Sequence, residues 1–290
     1  MNLRRDSPIG LFDSGVGGLS VLKAIREQLQ GEDLIYFGDQ AHVPYGQRTI
    51  DEIRNFSEGI SNYLLSQGVK MIVVACNTAS AAALKYLRSK FSDVLFVGME
   101  PAVKPAAETT RSRKVGVLAT PATFQGELYA SVVERFANNV QLFPETCPGL
   151  VTQIEDGELE SKATLEILQK AIDPLLKKGI DTIVLGCTHY PFVIPQIKKI
   201  VGAGVRVIDP APAIARRVSN LLETNGFRNQ TDRIGRITFI TSGDPQGMRF
   251  ALSKLLDLNA PVISVTWLTS TTLGDISLSI ELQTIHNAGI

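Results

Sequence analysis

Two cysteines close nearly the same phrase in the two halves of this chain. Ile72-Val73-Val74-Ala75-Cys76-Asn77-Thr78 is an apolar run ending in a thiol and polar donors, and Ile183-Val184-Leu185-Gly186-Cys187-Thr188-His189 repeats the pattern. A buried strand that stops at such residues is where an open α/β sheet presents its site. Two thiols facing one pocket from opposite sides could take a proton from one face of a carbon and return one to the other. That inverts the stereocentre and needs neither cofactor nor metal. The third cysteine, Cys147 in Glu145-Thr146-Cys147-Pro148-Gly149, lacks this context and reads as an inert buried hydrophobe.

For a thiol to act as a base it must ionise. Cys76 should stand at a strand end just before a helix starting near Thr78 to Ser80. A helix N-terminus is worth about 0.3–1 kcal/mol to an anion, which would bring a thiol of pKa ~8.5 to about 7–8. A further partner is therefore needed: His189 for Cys187, two residues on, and Asp13, from the adjacent strand end, as proton partner for Cys76. Asp13 opens the loop Asp13-Ser14-Gly15-Val16-Gly17-Gly18. Its spacing is not that of a dinucleotide loop, and no phosphate-loop lysine follows. A carboxylate at its entrance would repel phosphate. The preferred reading puts Asp13 and Ser14 into the cleft while the glycines only make the turn. Asn77, Thr78, Thr120, Thr123 and Thr188 add neutral donors that suit an amino acid's charged ends. Helix capping and ligand binding stay equally open for the hydroxyl groups among them. Pro44-Tyr45-Gly46 could wall the cleft, although turn chemistry would explain it as well.

The elements that must position these groups are legible in the hydrophobic pattern. Short apolar runs (Ile9 to Phe12, Leu34 to Phe37, Met71 to Ala75, Val94 to Val97) alternate with helical stretches such as Ile50 to Gln67. A second set follows from Val115 to Leu118, Val140 to Phe143, Thr182 to Leu185 and Val205 to Ile208, with Leu159 to Lys178 helical. This alternation predicts an α/β protein with mostly parallel sheets covered on both faces. Ile9-Gly10-Leu11-Phe12 also echoes Val115-Gly116-Val117-Leu118 at nearly the separation of the two cysteines. The expectation is an internal duplication: two similar doubly wound domains, related by a pseudo-twofold axis, with the site in the cleft between them. Prolines near Glu100-Pro101 and Asp209-Pro210 place residues 1–100 plus 210–267 in the first domain and 101–209 in the second. Residues 268–290, with His286, lose clear periodicity and read as a loose or docked extension without chemistry.

Composition excludes other classes. With 29 basic and 29 acidic residues and a formal net charge of zero, the chain carries no nucleic-acid footprint. No apolar run reaches the ~18 residues of a membrane span, and Met1 to Asp6 leads into no signal-type apolar stretch; the protein is read as cytoplasmic. Metal is not expected, because no C-x-x-C pair exists and His42, His189 and His286 are scattered.

At these residues the chain resembles the glutamate racemases of the aspartate/glutamate racemase family. The match runs through Phe12 to Gly18, Gly38-Asp39 with Pro44-Tyr45-Gly46, Ala75 to Ser80, Cys147-Pro148 with Glu155, Gly186 to Pro191, and Thr241-Ser242-Gly243-Asp244. The glycine loop alone is weak; the paired cysteine motifs are specific. The resemblance implies interconversion of L- and D-glutamate without cofactor, supplying the D-glutamate of peptidoglycan. It implies that Cys76, assisted by Asp13, works on the D-enantiomer, and that Cys187, assisted by His189 with Glu155 nearby, works on the L-enantiomer. Ser14, Pro44, Tyr45, Gly46, Asn77, Thr78, Thr120, Thr123 and Thr188 would hold the substrate. It also implies a homodimer, and no activation by a cell-wall nucleotide precursor, since the long N-terminal extension of members so activated is not seen before Met1. The alternatives are an aspartate racemase of the same fold and a two-domain binding protein whose cysteines are incidental.

Overall fold

A computed structural model of the chain describes residues 4–100, 102–136, 139–272 and 275–282. Pro101 and His286 lie outside the described residues. Eleven strands are described, in two sheets. The first holds β1 (Ile9–Asp13), β2 (Leu34–Gly38), β3 (Met71–Val74), β4 (Leu95–Gly98), β9 (Ile237–Thr241), β10 (Val262–Thr272) and β11 (Asp275–Leu282). The second holds β5 (Lys114–Ala119), β6 (Gln141–Glu145), β7 (Thr182–Gly186) and β8 (Arg206–Ile208). Every pairing is parallel except β10 with β11.

The strand order explains where chemistry must lie. The first sheet contains the run β2-β1-β3-β4, and the second is β6-β5-β7-β8, the same order. In each, the chain leaves the central strand toward one edge and returns to build the other. The crevice at that reversal, beyond the strands' carboxyl ends, is where open α/β sheets bind ligands. β1 and β3 flank the reversal in the first sheet, and β5 and β7 in the second. Cys76 follows β3 and Cys187 follows β7, so the cysteine motifs occupy equivalent places.

Side-chain alternation along the strands builds a core on each face. Leu11 and Val73 join the cluster under the helices Leu19–Gln28 and Ala211–Thr224, while Phe12, Ile72 and Val74 join that under Ile50–Ser66 and Asn77–Lys90. In the second sheet Ile183 and Leu185 pack toward the helix Lys162–Lys177, and Val115, Val117 and Val184 toward Ala102 and Ala106 on the opposite face. The helix Ile50–Ser66 begins at Thr49 with a reciprocal capping box to Glu52, and Lys162–Lys177 begins at Ser161, whose hydroxyl accepts the Thr164 N–H.

The first sheet extends beyond the sequence expectation. The pattern was read as ending at Trp267, yet β10 continues to Thr272, and β11 returns antiparallel with Trp267 opposite Ile280. Trp267 and Ile280 pack against the core on the Ile50–Ser66 side, which is what keeps this hairpin on the sheet. Among the described residues, no helix is long and apolar enough to cross a membrane.

Candidate active site

Both cysteines line one small gap of about 20 Å³, together with Ser14, Asn77 and Thr78 from the first sheet's side and Thr120, Thr188 and His189 from the second's. Pro44, Tyr45 and Gly46 also line it. A cavity needs about 10–15 Å³ of such volume to hold one water. Admitting a ten-heavy-atom amino acid therefore requires the two sides to part. A larger groove of about 480 Å³ lies beyond Thr78, lined by Arg48, Arg54 and Lys85 among others, and contains neither thiol.

The Cys76 side is built from strand ends. β3 stops at Val74, and Cys76 caps the helix Asn77–Lys90, its sulfur accepting the Ala79 N–H at 3.4 Å. The Ser14 hydroxyl lies 3.9 Å from the same sulfur. Contrary to the expectation drawn from the helix N-terminus, the Cys76 thiol is pushed well above its ordinary value. Burial is the main cause and the Asp13 carboxylate adds to it, outweighing the Ala79 N–H. Asp13 is itself fully buried, and burial raises its carboxyl despite the opposing pull of His189. Its oxygens take the Gly15 N–H at 3.1 Å and the Thr188 hydroxyl at 3.3 Å, so Asp13 touches both halves of the site.

The Cys187 side carries a cation instead. Cys187 Sγ lies 3.8 Å from His189 Nδ1, and His189 Nε2 lies 2.7 Å from Glu155 Oε1. Burial alone would lower the imidazole; the Cys187 sulfur and the Glu155 carboxylate outweigh it and hold His189 well above its usual value. Glu155 ends the helix Leu150–Glu155, and its Oε1 also accepts the Val16 N–H at 2.8 Å. Burial would raise its carboxyl, but His189 and Val16 together bring it below the ordinary value.

The glycine loop does more than turn. None of Gly15, Gly17 and Gly18 has a positive φ. What each lacks is room: a Cβ on Gly15 would stand 2.0 Å from Glu155 Oε1, one on Gly17 2.4 Å from His189 Nδ1, and one on Gly18 2.8 Å from the Asp13 Cβ. The loop is bare at Gly15 and Gly17 so that Glu155 and His189 can approach the end of β1, and at Gly18 so that it can pack on Asp13 and Ala75.

The remaining polar side chains differ in what they do at the gap. Thr120 both caps the helix Pro121–Gln125 and lines the gap, its hydroxyl 3.0 Å from those of Thr78 and Thr123. Thr123, Asp13 and Glu155 are not on the wall; each holds a residue that is. Tyr45 lines the gap, but its hydroxyl donates to Asp39 at 2.6 Å. Asn77 stands apart: it is 3% exposed, and neither its Oδ1 nor its Nδ2 has a partner. Two buried orphan polar atoms on the wall of a gap are unfavourable unless a ligand meets them. Cys147 is buried and its thiol is raised to about 12, in keeping with an inert role. Val151, also on the wall, carried no signal in the sequence beyond being one more apolar residue of a short helix. No group of three or more metal-binding side chains occurs among the described residues.

Comparison with known proteins places this geometry. The Asp/Glu/hydantoin racemase family model matches residues 9–218. The chain is similar to the glutamate racemase of a Roseiflexus species, 51% identical over 253 residues covering 87% of this chain and 92% of that protein. Among solved structures it is similar to the glutamate racemase of Thermus thermophilus in complex with β-chloro-D-alanine, with TM-score 0.77 and 38% identity over 91% of this chain and 98% of that one. It is likewise similar to that of Francisella tularensis in complex with D-glutamate, with TM-score 0.78 and 31% identity over 89% and 97%. The chain is an isomerase that belongs to the Asp/Glu/hydantoin racemase family, grouped with its glutamate racemases.

Proposed function

We propose that the protein interconverts L- and D-glutamate by a two-thiol mechanism without cofactor, Cys76 and Cys187 standing on opposite faces of the substrate's Cα. The observation that carries this reading is the meeting of two buried thiols, from equivalent strand ends of two sheets, on the wall of one gap.

The surroundings of the thiols give each a role. With a protonated His189 3.8 Å from its sulfur, Cys187 is placed to take the α-proton of L-glutamate. Cys76, kept protonated by burial and by Asp13, delivers its proton to the other face and yields D-glutamate. One proton is removed and one is returned, so no net charge is left on the carbon. The reverse reaction starts from the opposite protonation of the pair, with Asp13 assisting Cys76. An α-proton is far less acidic than a thiol, and acid–base help supplies about 10²–10⁴-fold. The remainder falls to fixed dipoles in a dry site. The unpartnered Asn77 amide, the Ser14, Thr120 and Thr188 hydroxyls and the start of the helix Asn77–Lys90 supply these. The lobes built on the two sheets, residues 1–100 with 210–267 and residues 101–209, close over the substrate and exclude water.

The likeness to glutamate racemases supports glutamate as substrate, and with it supply of D-glutamate for peptidoglycan, action in the cytoplasm and assembly as a homodimer. The test is conversion of L-glutamate in D₂O, followed by NMR and chiral analysis, with solvent deuterium appearing at Cα of the D-enantiomer as it forms. Cys76→Ser and Cys187→Ser should each abolish racemisation, because an alcohol is far too weak an acid to provide the base. Normal turnover of both enantiomers by Cys76→Ser overturns the assignment.

A further inference from the structure

Asp39, just past β2, is fully buried, and its carboxylate gathers partners from separate parts of the chain. Tyr45 Oη donates to it at 2.6 Å, Ser242 Oγ at 2.6 Å and Trp267 Nε1 at 2.8 Å, while His42 Nδ1 lies 2.9 Å away. The backbone N–H of Asp39 donates to the carbonyl of Asp13 at 2.9 Å. One residue thus joins the end of β1, the loop leading to Gly46, the turn after β9 and strand β10. Tyr45 stands on the wall of the gap; Trp267 does not.

The rings reinforce this arrangement. His42 stacks on Phe56 at 3.9 Å between centroids, and the Trp267 indole meets Phe56 at 5.8 Å and His42 at 5.3 Å. Tyr45 packs on the same Phe56 at 5.7 Å. A buried carboxylate deprived of one strong donor draws its remaining donors into new positions or is left under-satisfied. The donor whose displacement would reach the gap is Tyr45, since its ring is part of the wall.

We propose that Trp267 is a positioning residue for the Pro44–Gly46 wall, acting through Asp39, so that strand β10, beyond the family-matched stretch 9–218, helps to set the substrate site. The inference rests on the reading of that site as the glutamate site. Its chemistry is that of a donor held at a distance: the indole N–H fixes the carboxylate, the carboxylate fixes the phenol, and the phenol fixes the wall.

Trp267→Phe keeps an aromatic ring near Phe56 and His42, deletes the N–H and trims the fused ring. The expected result is a rise in KM for both glutamate enantiomers on the order of tenfold, with kcat changed less than about twofold. Tyr45→Phe removes the other end of the relay, and the double variant should lose less kcat/KM than the product of the single losses. Because Trp267 is the chain's only tryptophan, the unmodified protein offers a second readout: saturating D-glutamate should shift its fluorescence emission. Unchanged KM in Trp267→Phe, single losses that multiply independently, or emission indifferent to glutamate each overturn the proposal. A parent protein that exchanges the α-proton of L-glutamate while Trp267→Phe matches it sinks this inference alone; a parent that exchanges nothing sinks the functional reading first.

Discussion

Cys76 leaves β3 into a long helix whose Ala79 N–H donates to its sulfur, with the buried Asp13 carboxyl beside it; Cys187 leaves β7 beside the His189 imidazole, itself backed by the Glu155 carboxylate. The strand order around them is the same, so the fold gives both thiols one position and different electrical settings. The proposed two-thiol exchange draws on this asymmetry, since it asks the two thiols for opposite roles in one turnover. The comparison teaches that backbone topology brings both thiols to one gap, and the short loops behind them give each a different charged neighbour. Asp13 and Glu155 have the same functional group and opposite shifts: burial raises the first, and a cationic partner lowers the second.

Changing the charged neighbour on one side only should break the symmetry of turnover. His189→Asn is expected to lower kcat by about 10²–10⁴-fold, more severely with L-glutamate as substrate, and Asp13→Asn more severely with D-glutamate. Since the equilibrium constant between enantiomers is one, kcat/KM must fall equally in both directions for each variant. Equal kcat losses in both directions for both variants would remove the distinction between the two sides.

Crowding the loop between them comes next. Gly15→Ala drives a Cβ to 2.0 Å from Glu155 Oε1 and should cost about 10² in kcat/KM and about 1–3 kcal/mol in stability. Gly204→Ala, where nothing lies within 4 Å of the added carbon, is the matched control and should behave as the parent.

The ion pair behind Cys187 should also show in stability against pH. His189 is raised on folding, so its contribution is complete below about pH 6.5 and is lost as pH rises through its higher folded value. Glu155 is lowered on folding, so its contribution is present above about pH 4.3 and is lost as pH falls through its folded value. Glu155→Gln should therefore cost the most, about 3–5 kcal/mol, between those limits, and progressively less on either side. Denaturant unfolding across pH measures this; a deficit that grows above the folded value of His189 contradicts the pairing. The smallest effect is expected at the third cysteine. Cys147→Ser should leave turnover within about twofold, since its thiol is raised to about 12 by burial and takes no part in the exchange.

Much of this was legible in the sequence because strands and helices announce themselves by period. The eight apolar runs from Ile9 to Ile208 all became strands, and the repeated phrase around the cysteines marked the two carboxyl ends that meet. What escaped depended on contacts between distant segments. The need for bare glycines at 15 and 17 comes from Glu155 and His189, more than a hundred residues away. The Cys76 thiol was expected to be lowered, because a helix start is visible in sequence while the dryness of a gap is not. The first domain was read as closing at residue 267 with no role for its last residue, yet Trp267 reaches Asp39 across 228 residues. Val151 could not have been singled out at all, as its place on the wall follows only from how the second sheet faces the first.

The two-sided claim is tested most directly by racemising L-glutamate in D₂O and stopping the reaction early. If two thiols work from opposite faces, the first D-glutamate formed carries deuterium at Cα, while the L-glutamate recovered beside it still carries protium. If a single base serves both faces, deuterium enters recovered L-glutamate as fast as it enters the product, or the product retains the original protium. Either result would contradict the account.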